Sequence, residues 1–544
     1  MQGNHIKIVI LLVCSAALLN TRCSNNPSSL HQQYEGTKPN ILFCIADDAT
    51  YKHMGAYGTK WVSTPAFDRV AAEGILFERA YTPNAKCAPS RSSILTGRNS
   101  WQLKEAANHW PVFPAEFKTF PEVLAENGYQ VGYTGKGWAP GLPGEKDGKA
   151  RQLIGPSYNS MKKEAPTSSI STVDYSANFR DFLEKNDEKP WFFWYGGHEP
   201  HRAYEYGSGI SKGGKKISDV IGVPYFWPDN DTVRTDMLDY AFEIEYFDSE
   251  LNKMLQHLEA TGQLENTMVV VTADNGMPFP RIKGQEYEYS NHLPLAVMWQ
   301  KGILHGNRKV SDLISFIDFA PTFLELAGVD WATSGMSSSP GKSMTDILFS
   351  EQQGQVSNTR EYVLIGKERH DVGRPNDVGY PIRGIFKDNF LYLKNFEPDR
   401  WPAGNPETGY LNCDGSPTKS LLLDMKRQNK NAFYWNFNFG KKDSVELYNI
   451  VMDPNCLQNL VWNKAYKATL DSLNTLMMEK LREQEDPRVN GQGHLFDEYL
   501  YADEKTRDFF NRYMSGEKLK AGWVEPTDFE KIDTDPKKKQ QPLL

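Results

Sequence analysis

Residues 40–48 read Asn-Ile-Leu-Phe-Cys-Ile-Ala-Asp-Asp. An unbroken apolar run this short predicts a strand buried on both faces, with two carboxylates at its C-terminal end. The pattern returns at residues 268–275, Met-Val-Val-Val-Thr-Ala-Asp-Asn. Around these runs, helix-like and strand-like segments alternate. Thr64-Pro65 opens a helix over 66–73 that Gly74 stops, and 75–80 reads as a strand. Helices are predicted over 120–127, 175–186, 235–260 and 317–327. Strands are predicted over 130–134, 191–195 and 293–299. This alternation implies an α/β fold, a large mixed, mostly parallel sheet flanked by helices. In such sheets ligands sit outside the carboxyl ends of the strands, where both acidic pairs fall.

After about residue 360 the texture changes. Short strands at 362–365, 382–386 and 390–393, then a helix at 465–483, predict a smaller C-terminal antiparallel sheet-and-helix subdomain. The chain divides into an export signal (1–23), a linker (24–37), the α/β domain (38–360), this α+β subdomain (361–496) and a tail (497–544). The tail is charged and aromatic and is expected to wrap the body or fray.

The chain has 544 residues, of which 39% are hydrophobic, enough for a substantial core. Six cysteines exclude a disulfide-built scaffold. Cys44 reads as a small buried hydrophobe, and Cys413 and Cys456 are open to pairing. A net charge of −8 excludes a global basic field, so no nucleic-acid partner is expected. Any anionic ligand needs a local cluster of cations. Lys7 and the apolar run 8–19 read as an export signal, too short to span a bilayer, and no later run is long enough. Cys23 stands where a bacterial lipoprotein signal carries its lipidated cysteine, although Asn20-Thr21-Arg22 matches that pattern poorly. Lipid anchoring at Cys23 and plain secretory cleavage both stay open. Either implies a periplasmic or outer-membrane-anchored protein in a bacterium.

Cys87-Ala88-Pro89-Ser90-Arg91, followed by Leu95-Thr96-Gly97-Arg98, resembles the signature of the type I sulfatases of the alkaline-phosphatase superfamily. The resemblance implies that a maturing enzyme oxidises Cys87 to formylglycine. The hydrated aldehyde would attack sulfur through one hydroxyl and expel sulfate through the other. It also implies a divalent cation, Ca²⁺ or Mg²⁺, held by Asp47, Asp48, Asp274 and Asn275 with modified Cys87. Arg91, Lys136 and Lys283 match the family's active-site cations. His201, in His198-Glu199-Pro200-His201-Arg202, matches its leaving-group acid, and His198 is a substrate-binding candidate. One position departs. The family's Lys-x-His is Lys136-Gly137-Trp138 here, and an indole accepts no proton. His53 and His109 are candidates to replace that histidine.

Residues 198–202, 223–228 and 274–280 further resemble the heparan N-sulfatases, and the likeness extends over about residues 38–483. It implies a sulfated oligosaccharide substrate, N-sulfoglucosamine of heparin or heparan sulfate. The alternatives are a carbohydrate O-sulfatase, a phosphoester or phosphonate hydrolase, and a weakly active glycan-binding lipoprotein of the same fold. The polar run from Lys367 through Arg369 and His370 to Arg374 either lines the pocket or forms a solvated turn. Arg383 is likewise a pocket cation or a surface charge.

Overall fold

The computed structural model describes residues 38–303 and 305–531. The segments expected as an export signal and a linker, with Cys23, lie outside the described residues. The main sheet has seven strands in the order Arg308–Val310, Ile75–Phe77, Leu295–Met298, Thr267–Ala273, Asn40–Ala46, Trp191–Gly196, Gln130–Gly135. All pairings are parallel except the two made by Leu295–Met298. The central strands are the apolar runs of the sequence. Every residue of Thr267–Ala273 and Trp191–Gly196 is buried, because helices cover both faces. The long helix Asp231–Ala260 packs its apolar stripe on the sheet, and an Asn230 side-chain cap accepts from the Val233 N–H. The segment expected as one strand over 75–80 breaks into Ile75–Phe77 and Ala80–Tyr81, which join different sheets.

A second sheet of four antiparallel strands, Tyr362–Lys367, Ile382–Lys387, Phe390–Asn395 and Val445–Asn449, carries the helix Lys467–Glu483 through Leu473, Met477 and Leu481. Both sheets lie in one compact unit that begins at Lys38. The described part of the tail wraps. Tyr501 and Phe509 pack with Val372 and Leu411, and the Trp523 indole donates to the Leu411 carbonyl at 2.8 Å. Cys413 and Cys456 do not pair; both are free and buried, and the Cys413 thiol meets the Asp414 carbonyl instead. No helix among the described residues is long and apolar enough to cross a membrane.

Candidate active site

Strand register assembles the site. Asn40–Ala46 and Thr267–Ala273 run parallel with Ala46 beside Ala273, so Asp47-Asp48 and Asp274-Asn275 emerge side by side. Gln130–Gly135 and Trp191–Gly196 are parallel with Gly135 beside Gly196, which delivers Lys136 and the 198–202 segment to the same end. The approach there is too close for a side chain. A Cβ at Gly135 would lie 1.9 Å from the Gly196 carbonyl oxygen, and φ there is +73°. Asp48 itself has φ +77°, a costly conformation kept at the centre of the cluster.

Cys87 is the first residue of the helix Cys87–Thr96 and is 1% exposed. Its Sγ lies 3.5 Å from Asp47 Oδ1, 3.8 Å from Asp48 Oδ1 and 3.9 Å from Asn275 Oδ1. Asp47, Asp48, Cys87 and Asp274 each offer a ligand atom, all within 4.8 Å of one another. Three cations close on this group. Arg91 donates from Nε to Asp274 at 2.8 Å and from Nη1 to the carbonyls of Lys136 and Gly137. Lys136 Nζ lies 2.6 and 2.9 Å from the Asp47 carboxylate oxygens. Lys283 Nζ bridges Asp48 at 2.6 Å and Asp414 at 2.8 Å.

The electrostatics follow from burial against these pairings. Burial pushes the Asp47 carboxyl up, but Lys136, His201, Arg91 and Lys283 outweigh it and hold the group well below the usual range. Asp48 and Asp274 stay pushed up to about 6, chiefly by burial. Burial also drives the Cys87 thiol well up, so the unmodified side chain is a neutral thiol and a poor nucleophile. His201 is lowered to about 4 by burial and then Lys283. Its Nε2 is 3.8 Å from Asp48 Oδ2, while Nδ1 meets the Arg202 carbonyl.

A cleft of about 490 Å³ opens on this cluster, lined by Asp47, Lys136, His198 and His201 among others. The substrate-binding candidates beyond His198 sit elsewhere. Arg383 pairs with Asp486 and Glu368 at 2.7 Å each, fully buried, so it is neither a pocket cation nor a surface charge. Arg369 donates to the Tyr499 carbonyl, and Arg374 to the carbonyls of Trp401 and Pro402. Lys367 donates to the Gly284 and Gln285 carbonyl oxygens, and His370 meets Asn84 Oδ1 at 2.8 Å. None of these five lines the cleft. The solvated-turn alternative is overturned too, since all are buried.

The Trp138 indole donates to Ser92 Oγ at 2.8 Å. His53 packs edge-on against Trp61 and Tyr240, and His109 Nδ1 is held 2.8 Å from Asp371; neither ring lines the cleft. Asp414, Glu199 and Glu243 went unmarked in the sequence. Asp414 sits in a loop distant from every motif, and Glu243 looks like one more charge on an amphipathic helix.

An α/β sheet with a buried acidic cluster, a nucleophile position at a helix start and three converging cations defines a hydrolase for an anionic ester or amide of a strong acid. The Sulfatase family profile matches residues 39–329, and the chain belongs to the sulfatase family. It is a sulfate ester or sulfamate hydrolase. It is 25% identical over 501 residues to human N-sulphoglucosamine sulphohydrolase, covering 85% of this chain and 93% of that one. It is 27% identical over 508 residues to an ulvan-active sulfatase of Formosa agariphila, covering 88% and 89%. Among solved structures, one determined with its substrate D-glucosamine-2-N,6-O-disulfate shares the fold with a TM-score of 0.57 at 20% identity, over 82% of this chain and 98% of that one. A 2-O glycosaminoglycan sulfatase scores 0.59 at 18% identity, over 83% and 94%.

Proposed function

We propose that the protein is an exported enzyme that releases sulfate from a sulfated glycan, with N-sulfoglucosamine of heparin or heparan sulfate as its substrate. The observation that carries this reading is the approach of Cys87 to Asp47 at 3.5 Å beneath Arg91, Lys136 and Lys283. The near full-length likeness to human N-sulphoglucosamine sulphohydrolase supports the substrate. The equally long likeness to an ulvan-active sulfatase favours a polysaccharide O-sulfate as the second reading.

The donors fit a hard divalent cation. They are carboxylate and amide oxygens, and two of the carboxyls are pushed up to about 6, chiefly by burial, a shift that a cation among them would oppose. Asp47, Asp48, Asp274 and Asn275 would hold Ca²⁺ or Mg²⁺. That ion would neutralise sulfate oxygens, and formylglycine at position 87 would supply a hydrated aldehyde as nucleophile. The chain's own residues do the rest. Lys136 and Lys283 hold sulfate oxygens by charge-assisted hydrogen bonds. Arg91 fixes Asp274 and the Lys136 loop. His201 presents Nε2 to the leaving group, and an arriving anion raises its proton affinity. Trp138 cannot take the proton of the release step, and His198 in the cleft wall is our reading of the group that does.

The test is a desulfation screen of protein with verified formylglycine and bound metal, on sugars sulfated singly at N-, 2-O-, 3-O- or 6-O-positions. Free sulfate from N-sulfoglucosamine ends, absent in Cys87→Ala, is the expected result. Release only from an O-sulfated sugar moves the substrate to the second reading. Silence across the panel rejects N-sulfoglucosamine as the substrate.

A further inference from the structure

The cleft that contains Asp47 and Lys136 has a second, acidic wall. Glu199, Glu243, Ser169, Ser171 and Arg202 also line it. Glu243 comes from the middle of the helix Asp231–Ala260 and is 1% exposed. Its Oε1 has no hydrogen-bond partner among the described residues. A buried polar atom without a partner is costly, so a carboxyl kept in that state against a cleft calls for a ligand. Its neighbours cannot serve it. Glu199 already accepts from the Ser171 N–H and the Tyr175 hydroxyl, each at 2.8 Å. Arg202 is held by both oxygens of Asp236, at 2.7 and 2.9 Å. Burial and then Glu199 push the Glu243 carboxyl well above its ordinary range, with Arg202 opposing. This wall therefore carries acceptors in excess and no uncommitted cation.

We propose that Glu243 determines specificity by accepting a hydrogen-bond donor of the substrate sugar, a hydroxyl or an ammonium. The inference rests on the sulfatase reading of the cleft and adds to it which sugars enter.

NMR titration of the full chain with glucosamine, glucose and inorganic sulfate tests this. The wild type should bind glucosamine or glucose. Glu243→Leu should weaken the preferred sugar about tenfold, leave sulfate affinity unchanged and raise the melting temperature, because an unsatisfied buried polar group is gone. Glu243→Gln, which keeps the shape and an acceptor, should restore binding of glucose. A residue with a purely structural role would not lose sugar while gaining stability. Sugar affinity unmoved in Glu243→Leu, or no sugar binding to the wild type, would overturn the proposal. Absence of sulfate binding by the wild type, with Glu243-dependent sugar binding intact, would instead count against the sulfatase reading of this cleft and leave Glu243 standing.

Discussion

Asp274 is bonded to Arg91 on one side and shares the cluster with Asp47, Asp48 and Cys87 on the other. Replacing it with alanine removes one oxygen donor and one charge. Asp274→Ala is expected to lose calcium binding in a calorimetric titration together with sulfate release. Turnover without bound metal would contradict the assigned ligand set. His53 is a different kind of buried polar group. Burial, then Lys52, lowers it to about 3, against an unfolded value of about 6.5. A depressed histidine is neutral in the fold and takes up a proton only on unfolding. Its contribution is therefore lost as pH falls from about 6.5 towards 3. Relative to wild type, His53→Phe should gain about 2 kcal/mol between about pH 7.5 and pH 5, read by urea unfolding at each pH. A constant difference would show that His53 does not titrate between the two states. At this scale the sequence was readable where a residue belongs to a motif. Cys87, Arg91, Lys136, Lys283 and the acidic pairs come together as the sulfatase resemblance implies, whereas Asp414 and Glu243 reach the site only through tertiary packing.

Strands were legible as elements because two-sided burial demands unbroken apolar runs, and Asn40–Ala46 and Thr267–Ala273 are such runs. The helix Cys87–Thr96 was not. It is buried all round yet polar, so no apolar periodicity marks it. Three of its four hydroxyls are satisfied within the helix, Ser92 to the Ala88 carbonyl, Ser93 to the Pro89 carbonyl and Thr96 to the Ser92 carbonyl, while Ser90 donates to the Asp274 carbonyl at the site. The charged run after Tyr362–Lys367 misled for a related reason. Charges in a row usually mark a solvated face, but these are buried and paired across elements. Arg383, on the strand Ile382–Lys387, ties that strand to Asp486 just beyond the helix Lys467–Glu483. Arg383→Ala leaves Asp486 and Glu368 short of a buried partner and should cost about 3–5 kcal/mol in urea unfolding. The KM of the folded fraction should stay within about twofold, as for a residue without a pocket role. A large rise in KM at unchanged stability would return Arg383 to the cleft.

Across the whole molecule, distant parts of the chain complete one centre. Lys419 and Asp528 form an ion pair at 3.0 Å with both side chains fully buried. The same lysine donates to the Cys413 carbonyl, next to the Asp414 that holds Lys283 against Asp48. Asp528→Ala should therefore cost about 3–5 kcal/mol by urea unfolding, and its loss should be felt at the site as weakened sulfate affinity. Unchanged stability would show the tail to be ornamental.

This linkage has a consequence in time. Cys87 is among the early residues to leave the ribosome, and the pair that closes the centre from behind waits for Asp528. A maturing enzyme of the kind proposed for formylglycine formation would meet the Cys87 thiol openly only during that interval. Once the chain is finished and folded, the thiol is 1% exposed and sealed among carboxylates. Under that proposal, molecules that fold before they are altered would stay unaltered. The active fraction of a preparation would then be decided by a race during synthesis, and slowing translation should win it more often than adding more of the finishing enzyme afterwards.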